Sequence, residues 1–84
     1  MKKQVKDQIE MMVKVFNKEN ERRGMQSRYE VESYSFERGN YAINIKFNNT
    51  FFSLDFERLL ECIAENNLIF FMSHYSSKTV LNLQ

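Results

Sequence analysis

One cysteine, Cys62, and one histidine, His74, are the chain's entire supply of thiol and imidazole. A thiolate–imidazole nucleophile pair needs both within hydrogen-bond reach of each other. Cys62 falls at the margin of an apolar helical stripe, where a thiol is packed and unreactive, and His74 beside Tyr75 is expected at the surface near a turn. A zinc site needs three or four Cys, His or carboxylate ligands, and the sequence holds no such cluster, so no metal is expected. The carboxylate pairs Glu30 with Glu32 and Asp55 with Glu57 read as a solvated strand face and as first-turn helix residues, not as an acid–base couple. Gly24 and Gly39 are the only glycines, too few for a phosphate-cradling loop, so no nucleotide cofactor is expected. The expectation is a protein with no catalytic residues, no cofactor and no enzymatic activity.

Binding chemistry is better supplied. The net charge of +1 conceals an uneven distribution. Residues 1–28 carry eight cations against four acids, and residues 29–57 carry two cations against five acids. Lys14, Lys18, Arg22, Arg23 and Arg28 could contact the phosphates of a nucleic acid, with exposed tyrosines to stack on bases. Opposing this are the acids on the same segment and a net charge near zero, whereas dedicated binders are strongly basic. The order of helices and strands resembles one class of KH domain, a resemblance that would imply RNA or DNA binding. The GXXG backbone clamp of such domains is absent here. Nucleic-acid binding through the basic N-terminal helix is therefore the alternative function and not the leading one.

The elements that would position these groups follow from periodicity. Val5, Ile9, Met12, Val13 and Phe16 recur at helical spacing, which predicts a helix over residues 2–23 closed by Gly24 in a left-handed cap. Tyr41, Ile43, Ile45 and Phe47 alternate with Ala42, Asn44 and Lys46 as in a half-buried strand. The preceding strand places Tyr29 and Val31 on one face and Tyr34 and Phe36 on the other, and a bulge near Ser33, or a strand apolar on both faces near its end, would account for the change. Gly39 and Asn40 are the residues expected to take positive φ in the turn between the two strands. Phe51 and Phe52 could form a short strand, and Ser53 is the expected N-cap of a helix through LDFERLLECIAEN. LIFFMSHYSSKTVLNLQ then reads as a strand, a turn at Ser76 and Ser77 and a final strand, or as one long strand. The expected architecture is one α+β domain, with two helices packed on an antiparallel sheet of four or five strands in the order α-β-β-(β)-α-β-(β).

Within that frame the apolar run LIFFM at 68–72 poses a problem. Successive strand residues point to opposite faces, so Leu68, Phe70 and Met72 go one way and Ile69 and Phe71 the other. Two helices cover one face of a sheet. A strand apolar on both sides needs a further cover, either a second copy of the chain or a different protein, unless the sheet curls so that its own tyrosines shield it. Eight Phe and four Tyr in 84 residues are a heavy aromatic load, which implies either a dense core or rings at an interface, and exposed Phe and Tyr together are the composition of an interaction hot spot. The expected function is thus a protein-binding module acting by occlusion, with Phe51, Phe52, Ile69, Phe71 and Tyr75 at the interface and a homodimer as one form. In its richness in Asn, Lys, Phe and Ile the chain resembles accessory proteins of phages and mobile elements, a likeness that implies inhibition or regulation of a host or viral protein. The lone cysteine fits a reducing compartment. With no signal-type apolar core and no run long enough to span a bilayer, the cytoplasm is the expected location.

Overall fold

The computed structural model describes residues 1–25, 28–48 and 53–84. The first helix, α1, runs over Lys3–Arg22 and buries Ile9, Val13, Phe16 and Asn20 along one stripe. It stops where Gly24 takes φ +71°, which lets Met25 N–H reach Asn20 C=O at 2.9 Å and Gly24 N–H reach Glu21 C=O at 3.0 Å. That is the paired closure of a Schellman cap. The second helix, α2 (Ser53–Glu65), closes in the same way with Asn67 at φ +53° in place of glycine: Leu68 N–H bonds Ile63 C=O at 2.9 Å. Ser53 is the first residue inside α2 and not the residue preceding it. The proposed strand at Phe51 and Phe52 lies outside the described residues.

Four strands form one antiparallel sheet: β1 (Glu30–Glu37), β2 (Asn40–Phe47), β3 (Phe70–Tyr75) and β4 (Lys78–Leu83). The C-terminal stretch is thus a hairpin, not one long strand, and the architecture is a two-layer α+β fold. The spatial order is β1-β2-β4-β3, so α2 carries the chain from β2 past the position of β4 to the outside of the sheet. The irregularity in β1 lies between Ser35 and Glu37, where Phe36 is the extra residue opposite the Tyr41–Asn40 step, and not near Ser33. In the following turn only Gly39, at φ +71°, takes the left-handed conformation; Asn40 already pairs with Glu37 as strand.

Tyr29, Ile43, Ile45, Phe47, Leu81 and Leu83 meet Ile9, Val13, Phe16, Leu59, Cys62 and Ile63 in one core. Tyr29 joins it through edge-to-face contacts with Phe16 and Phe47, at centroid distances of 6.3 and 6.2 Å. The helices lie over the central strands and β1, and no residue of β3 belongs to this core. Among the described residues no helix is long and apolar enough to cross a membrane.

Candidate functional site

The register of the sheet assigns each strand residue to a face. Ile43 opposes Leu83, which opposes Phe70, and Ile45 opposes Leu81, which opposes Met72, so Phe70 and Met72 lie on the helix side. Ile69, Phe71, Ser73 and Tyr75 lie on the open side with Val80 and Asn82. Leu81 and Leu83 are fully buried, yet Ile69, Phe70, Phe71, Met72 and Tyr75 are between 42% and 63% exposed. Ile69, Phe71 and Tyr75 thus form an apolar strip on the open face. Phe70 and Met72 are the residues that sequence reasoning missed, since the helices were expected to cover their side. Phe70 and Met72 are covered only in part on the helix side, so β3 exposes apolar side chains on both faces. Ile69 and Phe71 are themselves 60% and 57% exposed, so no curl of the sheet shields them with its own tyrosines.

The third free surface of β3 is its edge. Ile69 and Gln84 exchange both backbone hydrogen bonds, at 3.0 and 2.9 Å. In an antiparallel ladder such pairs alternate, so Ile69, Phe71, Ser73 and Tyr75 direct their N–H and C=O groups at β4. Phe70, Met72 and His74 direct theirs outward, and among the described residues β3 has no neighbour on that side. Natural edges are usually blunted by lysine, proline or a bulge. Residues 68–77 contain no Lys, Arg, Asp, Glu or Pro, and the β3–β4 register runs without interruption.

Elsewhere the open face carries a band of polar side chains. Asn82 Nδ2 donates to Asn44 Oδ1 at 2.7 Å and to the Tyr34 hydroxyl at 3.1 Å, Gln84 Nε2 donates to Asn82 Oδ1 at 3.0 Å, and Lys46 pairs with Glu32 at 3.1 Å. This polar band runs beside the β3 strip, with Asn82 paired directly to Phe71.

The basic residues divide into two groups. Lys14 and Lys18, one turn apart on α1, line a depression of about 610 Å³ with Arg28 and Glu21. Asn17 holds Arg28 there by clamping the next residue: its side chain donates to Tyr29 C=O and accepts from Tyr29 N–H, both at 2.8 Å. Arg22 and Arg23 lie outside this group; Arg23 pairs with Glu19 at 3.8 Å, and Arg58 reaches the same carboxylate at 3.7 Å.

Cys62 is buried in α2, and burial pushes its thiol above the usual range against the opposing effect of a hydrogen bond from Asn66. His74 is exposed on the edge strand with Nδ1 3.1 Å from Thr79 Oγ1. The two therefore occupy different surroundings, core and rim. Asp55 is buried, and its Oδ2 accepts from the Tyr29 hydroxyl at 2.8 Å and from Asn20 Nδ2 at 3.1 Å, which ties α2 to the start of β1 and the end of α1. Among the described residues no group of three His, Cys, Asp or Glu side chains could hold a metal ion. No family model matches the chain, and neither a curated protein nor a solved structure does, so a functional assignment rests on the exposed strand β3, the polar band beside it and the basic cluster of α1.

Proposed function

We propose that the chain is a non-enzymatic protein-binding module that docks its target on the open-face strip of β3 and acts by occlusion. The observation that carries this reading is the exposure of Ile69, Phe71 and, beyond Ser73, Tyr75 on one face of one strand, bordered by the polar Tyr34, Asn44 and Asn82 band. Aromatic anchors of this kind dominate binding energy when a partner excludes water from them, and a polar border sets orientation. A small occluding protein of the accessory type carried by phages and mobile elements fits these features.

The test is retention of a target on the immobilised chain, with Phe71→Asp as control. The variant is expected to keep its circular dichroism spectrum and lose the target. Unfolding of Phe71→Asp would show that the side chain is structural, and undiminished capture by a folded variant would remove the strip from the interface. A second reading, nucleic-acid binding, is favoured by one observation, the convergence of Lys14, Lys18 and Arg28 on one depression. It requires nucleic acid that survives purification, dissociates steeply with salt and is lost on Lys14→Glu with Arg28→Glu.

A further inference from the structure

We infer that the outer edge of β3 pairs antiparallel with β3 of a second copy, joining two four-stranded sheets into one continuous sheet about a two-fold axis. This deepens the reading of β3 as an interaction element by assigning its edge to self-association and its open face to the target. The pairing rests on the groups that face outward. Phe70, Met72 and His74 each direct an N–H and a C=O outward, where β3 has no neighbour among the described residues, because Ile69 and its alternate neighbours spend theirs on β4.

A two-fold axis through Met72 uses all three. Phe70 of one copy then lies opposite His74 of the other, Met72 opposite Met72, and each pair exchanges both backbone hydrogen bonds. Centring the axis on Phe70 or His74 would leave outward groups of the strand unpaired. The side chains tolerate the arrangement on both faces. No Lys, Arg, Asp or Glu occurs from Leu68 to Ser77, so a copy facing itself brings no like charges together. On the helix side Phe70 and Met72, partly exposed in the single chain, pack against His74 and Met72 of the other copy. On the open side Ile69 lies beside Tyr75 and Phe71 beside Ser73, merging two short strips into one longer docking surface.

Edge pairing covers chiefly Phe70 and Met72, at 44% and 42% exposed, so on the order of 150–200 Å² of apolar side chain per copy leaves water, taking ~150–250 Å² for a large side chain. That is well below the roughly 1,200 Å² of a stable specific interface, so the paired backbone groups carry the association and it is not permanent. A concentration-dependent dimer is the expected form.

The experiment combines light scattering of the full chain over a wide concentration range with residue-resolved amide exchange. The mass is expected to rise from monomer to dimer as protection appears at the amides of Phe70, Met72 and His74, while those of Phe71 and Ser73 are protected at every concentration. Met72→Lys places a charge against its own copy and is expected to weaken the dimer roughly tenfold or more with an unchanged circular dichroism spectrum. Should that variant unfold, the exchange pattern of the native chain still decides. A monomer at all concentrations, or a dimer in which the three outward amides exchange freely, overturns the pairing. A monomer whose target binding is nevertheless abolished by Phe71→Asp would overturn the pairing while leaving the open-face reading in place.

Discussion

At the scale of single residues, the least expected feature is the buried trio Asn20, Tyr29 and Asp55. Asn20 continues the stripe of Ile9, Val13 and Phe16 one turn further along α1, so a polar residue at an apolar position was the available signal. Asp55, which the sequence places in the first turn of a helix to complement its dipole, instead accepts hydrogen bonds from two other elements inside the core. Tyr29→Phe removes one donor and leaves a buried carboxylate oxygen underbonded. A loss of about 1–3 kcal/mol is expected, to be measured by urea denaturation. Cys62 offers a second check. Its thiol ionises at a higher pH in the folded chain than in the unfolded one because burial disfavours the thiolate. The folded state therefore keeps this contribution below about pH 9, and loses it above as the unfolded thiol ionises first. Cys62→Ser is expected to flatten that alkaline decline, and labelling of Cys62 by a thiol reagent at neutral pH is expected to track unfolding and not the native state.

At the scale of elements, periodicity and turn chemistry carried most of the information. The apolar spacing of α1 and the alternation of β2 are local properties of the chain, so both elements and their buried faces were readable. Gly24 as a cap was equally readable, since only a residue tolerant of positive φ closes a helix in that manner. The bulge was misplaced because a change of apolar face shows that the pleat is interrupted without showing where, and Phe36 is displaced only by pairing with β2. The β3–β4 turn carries a local cost: Ser76 sits at φ +52°, a conformation that burdens a residue with a Cβ. Ser76→Gly is expected to raise stability by up to about 1 kcal/mol, read as an upward shift of the denaturation midpoint.

At the scale of the molecule, burial separates residues that look alike in sequence. Leu81 and Phe71 both sit in apolar strand segments, but Leu81 is fully buried at the centre of the sheet and Phe71 is more than half exposed on the edge strand. Leu81→Ala is expected to cost about 2–5 kcal/mol in denaturation experiments. Phe71→Asp, by contrast, is expected to leave the midpoint nearly unchanged and to act on binding. By itself the sequence determined the two helices, the hairpin β1–β2, the faces of most strands and the presence of more apolar surface than two helices can cover, because each follows from a period of 3.6 or 2 within a short window. Only the tertiary structure decided that β4, not β3, lies beside β2, since strand order depends on pairing across the whole of α2. That one choice buries Leu81 and Leu83 and sends the uncharged, aromatic β3 to the edge, where its side chains are exposed on both faces and, among the described residues, no strand pairs with its outward backbone groups.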